Sequence, residues 1–266
     1  MEDATVNNRE RLPSDLNQVL TVAKYDVLKH FRSKRLLGLL VLEGLVLALM
    51  FALPIALNLD TSDDAAGYMS SYVGWVSMLI VIGATMFAGD AIVSEFQSRT
   101  GYLLFPNPVK REVIFLGKYL STLSIISLMV VLYYGIAAVL TLAMTGESTV
   151  LWVYSMLFAL CYGAAAAAVG FLLSTVFKGS TGSLVLTFFM LLMILPLIMA
   201  VVGMAGYDTV LIMSSAEYVI SGLMSDPYVA GGLAPDLWAS LGVLAVYVAG
   251  SLLAGLVLFK RREMVS

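Results

Sequence analysis

Two acids stand inside long apolar runs of this chain, Glu43 and Asp90, and their positions raise the first chemical question. Glu43 lies eight residues beyond Arg35, about 12 Å of rise along a helix and well into any hydrocarbon layer. An ionised carboxylate there costs about 2.5–3.5 kcal/mol on insertion scales, so it is expected to be protonated, paired or facing a wet cavity. Such a group serves substrate or proton coupling, or sits hydrogen-bonded inside a bundle; both readings stay open. Asp90 comes five residues before Glu95, close to where its apolar run ends, and snorkelling or capping suffices to explain it.

Enzyme chemistry finds little else to use. His30 is the only histidine and stands in a basic segment, so no Ser–His pair or zinc site can form within an apolar run. An intramembrane aspartyl protease needs two facing aspartates, and only Asp90 is available. Cys161 is the single cysteine, which rules out an intrachain disulfide and a thiolate cluster. No G-x-x-x-x-G-K-[ST] phosphate loop occurs; Gly117-Lys118-Tyr119 and Lys178-Gly-Ser-Thr-Gly182 lack the spacing. The chain is therefore not expected to bind ATP by a Walker motif, to catalyse, to hold a metal or cofactor, or to bind nucleic acid.

The elements that must position these residues follow from composition. Of 266 residues, 60% are hydrophobic and 12% charged, with mean hydropathy +0.93. Soluble domains run at about 45–50% apolar and roughly 25% charged, so part of the solvent must be lipid. Six runs are long enough to span a bilayer, at about 36–59, 72–93, 119–143, 151–176, 183–205 and 238–259. The second ends in a polar Ala88-Gly89-Asp90 step. The fifth carries Pro196 near its middle, where the missing N–H predicts a kink. In the fourth, Gly163 to Gly170 sets small residues four apart, suited to close helix packing.

Orientation comes from charge. All 15 Lys and Arg fall before the first run, between the second and third, between the fourth and fifth, or after the sixth. The other connections carry only acids, including Asp63, Asp64, Glu147, Asp208 and Glu217. This positive-inside pattern predicts both termini in the cytoplasm. Before the first span, residues 14–35 read as an amphipathic helix on the inner membrane surface, capped by Ser14, with Leu16, Leu20, Ala23, Val27 and Phe31 as its apolar stripe. Its basic end, Lys29 to Arg35, suits anionic lipid head groups. With no apolar run ahead of a cleavage site, no removed signal peptide is expected, the first span serving as targeting signal. The outer segment 204–237 is too long for a simple turn, and its Ser215–Met224 stretch predicts a short helix.

The connection 94–118 is mixed in charge, broken by Pro106 and Pro108, and apolar at helical spacing on both sides. It predicts a short helix, a turn and a second helix leading into the third span, a knob suited to a groove on a partner. Its residues resemble the coupling segment of the ABC type-2 permeases, approximately E-x-x-x-G-T-L, a leucine-rich stretch, P-x-x-R, then an apolar run ending in G-K. Glu95, Thr100, Leu103, Leu104, Pro108, Arg111, Gly117 and Lys118 fall into that order. Asp90-Ala-Ile-Val-Ser-Glu95 is similar to members related to the permease serving nitrous oxide reductase maturation. Arg99 stands where the family usually has Gly, and Gly101 where it has Leu.

The resemblance implies an all-α membrane protein of two parts. Residues 1–35 are the cytoplasmic N-terminus with its interfacial helix, and 36–266 a six-helix permease domain with a cytoplasmic coupling helix in 94–118 and short outer helices before the sixth span. It further implies a second permease copy, usually as a homodimer, and a separately encoded nucleotide-binding ATPase that carries ATP and Mg. Glu95, Thr100, Pro108, Arg111 and Lys118 would couple to that ATPase. Glu43 and Pro196 fall by position along the translocation path between the two permeases. The expected setting is the plasma membrane of a prokaryote, with export the family's usual direction. Two rival readings are a proton-coupled carrier working through Glu43 and a non-transporting membrane scaffold.

Overall fold

The structure is a computed structural model that describes residues 14–59, 61–97, 110–224 and 237–261; Thr100 and Pro108 lie outside them. Among the described residues the chain is helical with no strand, and 6 helices are long and apolar enough to cross a membrane. A multi-pass membrane protein follows from those helices.

A surface helix comes first. α1 (Asp15–Phe31) begins where Ser14 Oγ accepts from the Asn17 amide, and Ser33 caps α2 (Lys34–Leu57) in the same way through the Leu36 amide. α3 (Ala65–Phe87) is two helical pieces, Ala65–Val73 and Val76–Phe87, run together through Gly74 and Trp75. A polar turn over 88–92 then leads into the short α4 (Val93–Gln97). α5 (Arg111–Thr145) has 35 residues, or about 52 Å of helix, against roughly 30 Å of hydrocarbon. Its first turns therefore project past the bundle and lie along α1. α6 (Leu151–Val176), α7 (Ser180–Met204), the short α8 (Ser215–Gly222) and α9 (Leu237–Arg261) complete the order.

One helix starts before the position expected of it. α3 begins at Ala65 rather than near 72, because Tyr68, Met69 and Tyr72 turn inward and are almost fully buried. Hydropathy registers what faces lipid, and these residues face protein. α5 begins at Arg111, so the second helix expected to lead into the third span is continuous with it, its polar first turns finding partners on α1 and α9.

α6 is the centre of the bundle, packed against α3, α5, α7, α8 and α9. Its run Ala165–Ala168 is wholly enclosed. A Cβ on Gly163 would meet Ile126 Cγ2 at 3.0 Å, and one on Gly170 would meet Ala88 Cβ at 2.8 Å. The small residues thus let α6 approach α5 at one level and the 88–92 turn at another. By contrast α2, α7 and α9 keep most of their surface open, in broad apolar faces such as Leu37, Val41 and Leu45 on α2.

α7 is not a regular helix. Met190–Ile194 forms a π turn, in which the Leu195 amide bonds to Met190 O, and Pro196 follows as the second residue of the resumed α-helix. Proline has no N–H and its ring crowds the preceding turn, so the wider π turn accommodates what a regular ladder would not.

The Gly170 contact gives a direct test. Gly170→Val drives a side chain into Ala88 and the Gly89 amide, 3.2 Å away from the added Cβ, and overpacking of this kind costs about 1–3 kcal/mol. The thermal midpoint in detergent should fall by several degrees. Gly135→Ala, whose new methyl meets nothing within 4 Å, should leave it in place.

Candidate functional site

The projecting start of α5 is where charge collects. Lys118, with its side chain 6% exposed, lies between Glu95 Oε1 of α4 at 2.8 Å and Asp26 Oδ1 of α1 at 3.3 Å. Lys29 Nζ reaches the same Glu95 oxygen at 3.4 Å, and His30 Nε2 lies 3.3 Å from Asp26 Oδ2 with its ring edge-on to Phe87. An ammonium taken out of water this fully is tolerated because two carboxylates surround it. Burial alone would raise the Asp26 carboxyl, but its close contact with His30 and the charges of Lys118 and Lys29 together hold it well below the usual carboxylate range.

The neighbouring Gly117 explains how α1 comes so close. A Cβ there would sit 2.7 Å from Val22 Cβ and 3.0 Å from Val19 O, so only glycine admits the α1 backbone at this level. The pair Gly117-Lys118 therefore has two jobs, room for α1 and a cation for its acid. α1 buries Val19, Val22, Ala23, Asp26 and Val27 at least in part, while Leu16, Leu20 and Phe31 of the expected stripe remain exposed. The buried face is rotated from that stripe because Asp26 follows Lys118 inward. Asp15 adds an exposed pair with Lys110 at 2.5 Å. Cavities of about 240 and 310 Å³ flank the cluster, lined in part by His30 and Arg35 on one side and by Thr21 and Tyr25 on the other.

Of the residues marked in the sequence, Glu95 and Lys118 are brought together. Arg111 goes elsewhere: its Nη1 donates to Lys260 O at 2.9 Å, at the C-terminal end of α9, where a cation meets the helix dipole favourably. Lys260 in turn pairs with Glu112. Glu43 is 3% exposed and makes no hydrogen bond or ion pair among the described residues. It lines a cavity of about 10 Å³ with Gly83, Met129 and Tyr133, room for about one water. Pro196 sits on a different helix, α7, just past the π turn.

Sequence reasoning passed over Asp26, an acid inside a basic segment, and read Asp90 as an interfacial charge. In the structure Asp90 is 6% exposed, and one of its oxygens takes Arg35 Nη1 of α2 at 2.5 Å. Its other oxygen accepts from Ser180 Oγ of α7. The one visible signal was the Ala88-Gly89-Asp90 interruption itself.

Substitution of Lys118 separates these terms. Lys118→Met leaves Asp26 and Glu95 enclosed without their cation, a loss of about 3–5 kcal/mol for a broken buried pair. The pH response should change sign. In the unsubstituted protein the folded pKa of Asp26 is depressed, so its contribution is complete above the ordinary carboxylate range and is lost as pH falls below it. In Lys118→Met acidification neutralises two carboxylates that have lost their most enclosed cation, so the melting midpoint in detergent should rise between pH 7 and pH 5 where the parent's does not.

Residues 14–257 match the family described as ABC-2 family transporter protein. No curated protein matches the chain.

Proposed function

The chain belongs to the ABC-2 transporter family, and from that membership we propose that it is the permease half of an ATP-driven exporter whose ATPase is a separate chain. It is a membrane transport component, and ABC transporters draw on an ATP-binding partner. The observation that best supports the finer reading is the Glu95–Lys118 pair at 2.8 Å. It fastens α4, which enters segment 98–109, to α5, which leaves it. A push that reaches either helix is thereby delivered to both.

On this reading the basic end of the bundle is cytoplasmic, both termini lie there, and the membrane is the plasma membrane of a prokaryote. Residues 1–35 form the entry segment, with the exposed Leu16, Leu20 and Phe31 of α1 against lipid, and 36–266 form the permease domain. Thr100 and Pro108 contribute to the docking knob and Arg111 steadies its base against α9. ATP and Mg belong to the ATPase. Two copies pair through the open apolar faces of α2 and α7; Pro196 lies on α7 along such a path, and Glu43 on the side of α2 turned into the bundle. ATP binding at the partner moves the knob and rocks the two bundles between inward- and outward-facing states.

A second reading has one observation in its favour, the enclosed and unpaired Glu43, which suits a proton-coupled carrier. The two are told apart by energy source: transport should persist when the proton gradient is collapsed and ATP is maintained. Transport that stops under those conditions, and in Glu43→Gln, would establish the carrier instead.

Docking is tested by charge reversal. Glu95→Lys or Arg111→Glu should insert normally yet bring down less ATPase on mild-detergent purification, and should uncouple ATP hydrolysis from transport. Full co-purification and normal transport in both variants would remove the docking role.

A further inference from the structure

α7 starts without a cap of its own. Its N-cap residue is Gly179, which has no side chain to accept from the first amides, and helix N-termini left bare carry unpaired N–H groups and partial positive charge. The missing partners come from the 88–97 stretch. Gln97 Oε1 accepts from the Ser180 amide at 3.1 Å, and the Asp90 carboxylate accepts from the Ser180 hydroxyl at the same terminus. Further along α7, Ser183 Oγ donates to Gly89 O at 2.6 Å, and Thr187 Oγ1 is 3.0 Å from where a Cβ on Gly89 would be. The start of α7 is thus held by the turn that precedes the coupling segment.

The same carboxylate holds α2. Arg35 Nη1 donates to Asp90 at 2.5 Å and also reaches Met86 O at 3.4 Å, one of the last carbonyls of α3. The turn itself has a fixed point: Ser174 Oγ of α6 accepts from both the Ile92 and Val93 amides at 3.0 Å. α4 is therefore pinned at its first residue to the central helix of the bundle. Its far end carries Glu95 and Gln97 and runs on toward 98–109. A short element anchored at one end and displaced at the other turns about its anchor.

We propose that Asp90 is the joint through which a displacement of the coupling segment reaches α2 and α7, with Ser174 as the pivot. Arg35 carries the movement to α2 and Ser180 carries it to α7. The proposal rests on the reading of this chain as an ATP-driven permease, and it assigns a transmitting role to a residue whose position in the sequence suggested only an interfacial charge. A carboxylate is suited to it because one group can accept from two helices at once, and charge-assisted bonds are about twice as strong as neutral ones.

The experiment uses the full chain with its ATPase in lipid nanodiscs, in a Cys161→Ser background. Spin labels are placed on the exposed far ends of α2 at Leu57 and of α7 at Met204, each paired with a label at a reference position on α6, exposed Tyr154. Distances are measured by electron–electron resonance with and without ATP and vanadate. The parent should show an ATP-dependent shift at both helices. Asp90→Asn should lose most of both shifts while the ATPase still co-purifies. Arg35→Met should lose the α2 shift and keep that of α7, and Ser180→Ala should do the reverse. This helix-by-helix division is not expected of a residue that merely stabilises the fold. Full shifts in Asp90→Asn, or in Arg35→Met and Ser180→Ala should Asp90→Asn fail to fold, would overturn the proposal. If the parent complex lacks an ATPase or shows no ATP-dependent shift, the ATP-driven reading fails and this inference falls with it.

Discussion

Hydrocarbon offers no hydrogen bonds, so any interruption of a helix at membrane depth must be satisfied by the protein around it. The interruption at 88–92 obeys that constraint and much of the rest depends on it. The Ile92 and Val93 amides at its end go to Ser174 on α6, its Gly89 carbonyl takes Ser183 on α7, and its carboxylate takes Arg35 on α2. Gly170 stands where Ala88 and Gly89 come closest to α6. A break that costs hydrogen bonds in one helix is thus converted into ties between four. The open helices α2 and α7, which keep little of their surface against the bundle, are each fixed at the level of this turn.

Charge does comparable work a short distance away. Lys118 is enclosed, and an enclosed ammonium requires its counter-ions in place. Asp26 and Glu95 come from two different helices that both precede it in the chain, so neutralising one cation fixes the relative positions of α1, α4 and α5. A membrane transporter needs rigid bodies that move against one another. These two clusters tie the helices to one another at the basic end.

The spans were legible because length and apolarity are local properties. α3 was truncated in the reading of its sequence since Tyr68, Met69 and Tyr72 satisfy the protein interior, which hydropathy does not distinguish from a polar loop. The face that α1 turns to the protein was not legible for a related reason. Leu16 and Phe31 are the more apolar residues, yet the helix turns on Asp26, whose partner lies 92 residues away in the chain. The partners of Asp90 are 55 and 90 residues distant. Ionic contacts at such separations leave no periodicity to find. What survived in the sequence was the Gly117-Lys118 pair, visible as a motif before its two functions, spacing and charge, were visible as geometry.

The π turn in α7 has an evolutionary meaning apart from its accommodation of Pro196. A π turn fits one residue more than the α-helical ladder would, and one residue is about 100° of rotation. Beyond Met190–Ile194, therefore, the side of α7 that faces a neighbour is drawn from a different set of sequence positions than before it. Substitutions that reshape one half need not compromise the facing residues of the other. The helix is in effect two independently variable surfaces on a single stem, one joined to the machinery at the basic end and one free to diverge with whatever the far half must meet.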